Sequence, residues 1–515
     1  MKIKSGILKI ALFATGLSGI VAEYILSTLA TYFLGDSVLQ WTMIVSIMMF
    51  SMGLGSRISR FIKKDLLQNF IIIEFTLSFF VGFSSLFAYS AAAYTVYTGL
   101  IIYSMSIVIG CLIGMEIPLV VRLNDEFETL RINVASVIEK DYYGSLVGGV
   151  LYALVALPYI GLTYTPFLLA AINFSVAFVM YLMLRKNLIP RMKLFLNFFA
   201  AFVVTVLLVG SIFATPIILH GEQKKYKDLV IYTEQSRYQR IVITQWKNHY
   251  WLFINGSQQF CTLDEVVYHE PLVHPIMQMV QNPVNVLVLG GGDGCAIREI
   301  LKYSSVENIT LVDLDPSMTT LANTHEVLLS VNEGSLKNSK VKIINKDGYN
   351  YLEDCNDFFD VIIVDLPDPK SVELGRLYSA EFYSMCYMRL RPNGAVITQA
   401  GSPYYASRAF FCINETMSSV GFGTLPIHTQ ILTLGEWGWV IGSKNFKSEE
   451  VKKILLSLQF NNVETNWINN DAMQMMCNFG KNIYPEIPYY DTIEINTIHN
   501  PVLYRYYLKG NWDLY

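Results

Sequence analysis

Apolar residues dominate the first 220 positions and then give way to a mixed pattern. Runs at roughly 7–34, 38–56, 68–90, 95–121, 142–160, 163–184 and 194–219 carry few charges. Most reach the roughly 20 residues that a helix needs to cross the hydrocarbon of a bilayer. The first run is too long, and too closely followed by others, to be a cleaved leader. The run at 142–160 is the weakest, with Tyr142, Tyr143 and several glycines. Residues 1–220 therefore predict a multi-pass α-helical membrane domain.

Beyond residue 220 the pattern shortens. Segments 230–232, 240–244 and 250–254 are strand-like, and Asn255-Gly256 is a hairpin signal. Residues 221–282 predict a small β domain. From 283 to 445, short apolar runs alternate with helix-like stretches, the pattern of an α/β sheet. The expected fold there is a Rossmann-like, methyltransferase-type doubly wound sheet. Residues 446–515 are mixed, with a helix expected at 448–458 and a tyrosine-rich end. They are expected to cover the catalytic domain without chemistry of their own.

Charge and cysteine usage narrow the picture. Residues 1–220 hold 14 Lys/Arg and 10 Asp/Glu, which leaves 24 and 32 for residues 221–515. The first part is thus +4 and the second −8. An acidic soluble part weighs against nucleic acid and suits a cationic substrate, although ordinary solubility explains it as well. The seven cysteines form no CxxC pair, and the histidines form no HExxH or HxxxH pattern. Reduced thiols, a reducing compartment and no metal site are expected.

Sidedness is contested within the sequence. Lys2/Lys4/Lys9, Arg57/Arg60/Lys63/Lys64, Arg122/Arg131 and Arg185/Lys186/Arg191/Lys193 place the N-terminus and the ends of spans two, four and six inside. A seventh full span would then put the soluble part outside, whereas Lys224, Lys225 and Lys227 argue for inside. Nucleoside chemistry favours the cytosol, so a cell-membrane protein with a cytoplasmic catalytic domain is expected. That placement requires a re-entrant run or an external N-terminus. Glu23, Glu74 and Glu116 lie within the apolar runs. Such carboxylates suggest a path or sensor for a cation, or a hydrogen bond between helices.

The chemistry begins at Val286-Leu-Val-Leu-Gly290-Gly-Gly-Asp293-Gly294, a strand entering a triple-glycine turn that carries a carboxylate. A helix-like stretch, 296–303, follows. Such turns let the backbone approach a ligand closely, and most of them serve anions. An Asp inside the turn opposes an anion and suits a nucleoside with a positively charged tail. The next strand, 309–313, ends in Asp313, about 20 residues on, where a carboxylate grips ribose hydroxyls in doubly wound folds. Strand 341–344 leads to Lys346-Asp347-Gly348, and strand 360–365 runs into Asp365-Leu-Pro-Asp368-Pro.

Several short pieces, taken in order, match one family. They are Ser236-Arg-Tyr-Gln239-Arg-Ile, Asn255-Gly-Ser-Gln-Gln259, Asp264-Glu-Val-Val-Tyr268-His269-Glu270, the glycine turn, Val312-Asp313-Leu-Asp315, Asp347-Gly348, Asp365-Leu-Pro-Asp368-Pro and Gln399-Ala-Gly-Ser-Pro403. Over about 225–445 the chain resembles the polyamine aminopropyltransferases, the spermidine synthases. The apolar part and Gly435-Glu-Trp-Gly-Trp439 look like the long, membrane-fused bacterial branch.

The resemblance implies transfer of an aminopropyl group from decarboxylated S-adenosylmethionine, a co-substrate, to an amine such as putrescine. No prosthetic group is implied. Asp365 would be the catalytic base, and Asp368 would anchor the acceptor. Tyr268 would contact the aminopropyl chain or the acceptor. Gln239, Gln259 and His269 would line the donor pocket. Gly290, Gly292, Asp293, Asp313, Asp347 and Gly348 would bind the donor, with Asp347 on the adenine amino group. The donor lacks a carboxylate, so Asp293 would attract its ammonium and repel ordinary S-adenosylmethionine. A homodimer or homotetramer is implied.

The chain departs from the family where the acceptor binds. Leu366 and Pro367 replace the Ser or Thr between the two Asp residues, Cys295 replaces a glycine, and Leu432 falls where a substrate-contacting Tyr is expected. Two other functions compete. One is an S-adenosylmethionine-dependent methyltransferase, which Asp293 and the Asp365/Asp368 pair oppose. The other is a polyamine transporter or sensor, which needs no base such as Asp365.

Overall fold

The structure, a computed structural model, describes residues 3–35, 37–124, 129–185, 188–480 and 493–512. The chain forms two compact units, Met1–Val230 and Ile231–Tyr515.

The first unit is helical. Helices Ile3–Leu34, Ser37–Ser59, Thr98–Asn124 and Pro190–Lys225 follow four of the apolar runs. The run at 68–90 becomes two helices, Leu66–Gly82 and Ser84–Tyr94, bent by 47°. Among the described residues, five helices are long and apolar enough to cross a membrane, or six if the bent pair is one crossing. One of the five, Leu130–Met183, doubles back on itself. The Thr28 hydroxyl lies 3.3 Å from the Tyr152 hydroxyl, and the Ser18 hydroxyl donates to Asn173 at 2.7 Å. The chain thus advances from residue 152 to 173 while retreating along the first helix. Gly161, at φ +72°, makes the reversal. The weak run at 142–160 ends in wide π-type turns, Tyr152–Ile160, interrupted by Pro158.

Two apolar clusters mark the ends of the bundle. Leu8, Ile62, Leu123 and Leu188 share one, and Leu29, Ile102, Ala156 and Ile218 share the other. At the first end Arg122 donates to the carbonyls of Ser59 and Ile62, both at 2.8 Å. At the second, the Tyr94 hydroxyl and the His220 ring nitrogen are 2.8 Å apart. Arg57, Arg60, Lys63, Lys64 and Arg122 therefore gather at the end that holds the N-terminus. Lys224 and Lys225 lie at the other.

Within the bundle the three carboxylates are buried. Glu74 accepts a bond from the Thr15 hydroxyl of another helix at 3.2 Å. Outward, Phe198, Phe202, Leu208 and Ile212 of Pro190–Lys225 are exposed, as on a face meant for an apolar surround.

The second unit opens with strands β1 (Leu229–Gln235), β2 (Arg240–Trp246), β3 (His249–Ile254) and β4 (Ser257–Cys261), in that order in one sheet. Asn255 and Gly256 turn the β3–β4 hairpin with both φ values positive. Two features depart from a β domain bounded at 221–282. Residues 221–225 finish the preceding helix, and Val266–Met279 is a helix despite Pro271 and Pro275.

Seven more strands form the central sheet: β5 (Asn285–Gly290), β6 (Asn308–Asp313), β7 (Val341–Asn345), β8 (Phe359–Asp365), β9 (Leu390–Gly401), β10 (Gly423–Ile431) and β11 (Gly435–Ser443). Their order is β10-β11-β9-β8-β5-β6-β7. The sheet is Rossmann-like but mixed, since β11 runs antiparallel to both β9 and β10. Val286–Leu289 and Val361–Val364 are fully buried, the continuous apolar runs of strands covered on both faces. Each such side chain contributes roughly 1.5–3 kcal/mol by burial. The C-terminal part supplies helices Ser448–Ser457, Asn470–Met476 and Leu503–Leu508.

Close helix approach in the first unit depends on glycine. A Cβ on Gly144 would come within 2.1 Å of the Phe13 carbonyl oxygen, and one on Gly16 within 2.2 Å of that of Asp141. We predict that Gly144→Val forces these helices apart, costing about 1–3 kcal/mol. Thermal unfolding in detergent should show a lower midpoint than for the wild type; an unchanged midpoint would count against this packing.

Candidate active site

A cavity of about 280 Å³ opens where the C-terminal ends of β5, β6 and β8 meet. The sheet order reverses between β5 and β8, and open α/β sheets bind ligands at such a point. All twelve residues singled out from the sequence line this one cavity.

Register explains the convergence. Gly290, the last residue of β5, pairs with Asp365, the last of β8. The approach is so tight that a Cβ on Gly290 would lie 2.0 Å from the Asp365 carbonyl oxygen, and φ there is +81°. The Gly291 amide then donates to that carbonyl at 3.0 Å. The glycine turn and the catalytic candidate are thus locked together through backbone. Asp293 accepts from the Cys295 amide at 2.8 Å, which holds its carboxylate at the start of helix Cys295–Leu301. Asp313 ends β6 and accepts from the amides of Gly292 at 3.1 Å and Asp315 at 2.9 Å. Burial, aided by the charges of Asp315 and Asp293, pushes its pKa up to about 6.

Asp365, the last residue of β8, faces Tyr268. Its Oδ1 accepts from the Tyr268 hydroxyl at 2.6 Å. Burial, then the charge of Asp293, raises its pKa to about 6, while His269 and the Tyr268 hydrogen bond pull the other way. Ligand atoms of His269, Asp293 and Asp365 all lie within 4.8 Å of one another. His269 bonds Glu265 through Nδ1 at 2.8 Å, and Glu265 also accepts two bonds from Arg298, at 2.9 and 3.0 Å. Burial opposes a charged imidazole, yet Glu265, Asp293 and Asp365 together raise its pKa above the usual value. A ring that holds its proton more tightly binds a metal less readily. The arrangement suits an organic cation better.

The remaining candidates divide. Asp347 caps helix Gly348–Asp354 through the Asn350 amide and also binds Arg376 at 2.6 Å, so both its oxygens are engaged beside the cavity. Gln259 donates to the Ser257 carbonyl at 3.1 Å, a local structural bond, and Gln239 borders the same wall. Leu432 is 78% exposed and does not border the cavity; Leu434 and Trp437 do.

At the acceptor end Asp368 accepts from the Tyr507 hydroxyl at 2.6 Å, and Lys370 lies 3.8 Å away. The carbonyls of Leu366 and Pro367 accept from the Tyr378 hydroxyl at 3.0 and 3.1 Å, and Gln399 also donates to that of Leu366, at 2.8 Å. Sequence reasoning assigned no role to Tyr378, Lys370, Gln399 or Tyr507. Gln399 was visible within a quoted motif, whereas no local signal marked Tyr507.

A nucleoside-type glycine turn and a set of converging carboxylates at the switch point define a transferase-like site for a cationic nucleoside. Comparisons narrow the class. The profile of the Spermine/spermidine synthase domain matches residues 265–454. The chain is 41% identical to Polyamine aminopropyltransferase 2 of Aquifex aeolicus, over 98% of each chain. It is 37% identical to the Polyamine aminopropyltransferase of Oceanobacillus iheyensis, over 96% of each. A crystal structure of spermidine synthase in complex with the transition-state analogue AdoDATO is similar at 28% identity and TM-score 0.46, covering 51% of this chain and 89% of that one. The chain belongs to the polyamine aminopropyltransferase family.

Proposed function

We infer that the protein is an aminopropyltransferase that moves the aminopropyl group of decarboxylated S-adenosylmethionine to an amine. The observation that carries this reading is the half-buried Asp365 beside Asp293 at the switch point of the sheet. The donor brings a sulfonium and a terminal ammonium, and needs no prosthetic group. Asp293 faces the ammonium and disfavours a carboxylated donor, which sets the site apart from that of a methyltransferase. Asp313 takes the ribose hydroxyls, and Asp347 borders the adenine.

The acceptor, putrescine or a related amine, arrives as an ammonium without a free lone pair. Asp368 and Asp365 hold it, and Asp365 takes a proton. The freed nitrogen attacks the carbon next to sulfur, so a C–N bond forms as the C–S bond breaks. The bonding pair returns to sulfur, leaving neutral methylthioadenosine. The proton passes from Asp365 to water after product release. Tyr268 orients Asp365 through its hydrogen bond. Positioning and charge stabilisation contribute more than proton transfer alone.

We further propose that the parts of the chain divide the work: a membrane anchor in the first unit, a small β domain at β1–β4, a catalytic domain to about residue 445 and a C-terminal cover. The apolar helices embed the chain in the cell membrane, and a homodimer or homotetramer follows from the family resemblance. The catalytic unit is placed on the cytosolic side, where its nucleoside donor is made. The basic loops at the N-terminal end of the bundle pull towards the opposite orientation. Protease treatment of intact spheroplasts decides: the catalytic unit should survive, and its digestion there would reverse the assignment.

For the chemistry, Asp365→Asn should lower kcat by about 10²–10⁴-fold with a smaller change in donor affinity. Because burial raises the Asp365 pKa to about 6, the base is protonated and idle below that pH. The acid limb of kcat/KM should therefore fall near pH 6 and move lower in Asp293→Asn, which removes a repelling charge. Mass spectrometry of products from a diamine panel provides the assay. Equal losses in turnover and donor affinity, or an acid limb unmoved by Asp293→Asn, would contradict the base assignment.

A further inference from the structure

The C-terminal extension reaches into the acceptor end of the cavity. Residues 503–508 lie beyond the 265–454 match to the family profile, so the family pattern says nothing about them. Yet Tyr507, on helix Leu503–Leu508, is 4% exposed and places its hydroxyl 2.6 Å from Asp368 Oδ2. The extension is anchored for this. Buried Asn496 donates to the carbonyls of Gly375 at 2.8 Å and Tyr378 at 3.1 Å, and its own carbonyl accepts from the Ala380 amide at 2.9 Å. Trp512 donates from Nε1 to the Tyr507 carbonyl at 2.7 Å and packs on the Tyr507 ring at 4.6 Å between centroids. These bonds tie the extension to the segment that follows the acceptor loop.

The contacts around Asp368 are one-sided. Tyr507 and the Lys370 ammonium, 3.8 Å away, both face Oδ2. Lys370 also donates to the Ser257 hydroxyl at 2.7 Å across the cavity. Among the described residues, Oδ1 meets only Gln399, at the long distance of 3.5 Å. A carboxylate held on one oxygen by a rigid phenol presents the other in a fixed direction. Leu366 and Pro367, between the two Asp residues, carry no hydroxyl to hold the loop or the acceptor.

We propose that the C-terminal extension completes the acceptor site, with Tyr507 as a positioning residue that aims Asp368 at the incoming amine and thereby sets acceptor preference. This rests on the reading of Asp368 as the acceptor anchor. The acceptor's ammonium replaces the Lys370 charge on Asp368, while the Tyr507 hydroxyl keeps the carboxylate in register. The ligand class is a short aliphatic diamine.

The test uses the full-length protein with decarboxylated S-adenosylmethionine and diamines of three, four and five carbons. Tyr507→Phe keeps the ring on Trp512 and removes only the hydroxyl. It should raise the acceptor KM about tenfold, the worth of one hydrogen bond to a charged group. The donor KM should change far less, and the preference among the three diamines should flatten. Thermal unfolding of the variant checks that the fold is intact. An unchanged acceptor KM, or a parallel rise in donor KM, overturns the proposal. Asp368→Asn, run alongside, separates the two readings. If it raises the acceptor KM while Tyr507→Phe does not, only the role of the extension falls. If Asp368→Asn itself leaves acceptor KM unchanged, the anchor assignment falls and the extension's role with it.

Discussion

Backbone geometry forces like charges together in this protein. The β5–β8 register sets Gly290 against Asp365, and the turn that Gly290 permits carries Asp293 to the same place. Asp313 is brought in by its bond to the Gly292 amide. None of these residues can shift its backbone without breaking a strand pair or a turn. Their repulsion, with burial, holds Asp313 and Asp365 near the point of protonation. A cationic ligand relieves that strain, and a neutral or anionic one does not. Donor choice, proton acceptance and exclusion of a carboxylated nucleoside all follow from this arrangement.

Much of the frame was legible because its signals are local. A strand covered on both faces must be apolar throughout, so β5 and β8 stood out as continuous runs. Turns that need positive φ call for Gly or Asn, which marked Gly290 and the Asn255-Gly256 hairpin. Carboxylates at strand ends marked Asp313 and Asp365. The order of the pieces then carried the family resemblance, which the relatives at 41% and 37% identity bear out.

What stayed hidden depends on distance or direction. Apolar content does not reveal whether a strand runs up or down, so the antiparallel β10–β11 hairpin was invisible. Pro271 and Pro275 argue against a helix at 266–279, yet packing overrides them there, since both are buried. Leu366 and Pro367 looked like damage to the acceptor loop. In the structure the loop is held through their carbonyls by Tyr378 and Gln399, so their side chains are free to vary. Tyr507 meets Asp368 across 139 positions of chain, and no local pattern announces such a pairing.

Half-buried carboxylates at the switch point await a cation, and proton exchange on binding tests this most directly. Calorimetry of decarboxylated S-adenosylmethionine binding near pH 6, repeated in buffers of different ionisation enthalpy, counts the protons exchanged. A cation bound beside Asp365 lowers the proton affinity of Asp365, so the account predicts net proton release that fades as the pH rises towards 8. Binding with no proton exchange, or with proton uptake, would contradict it.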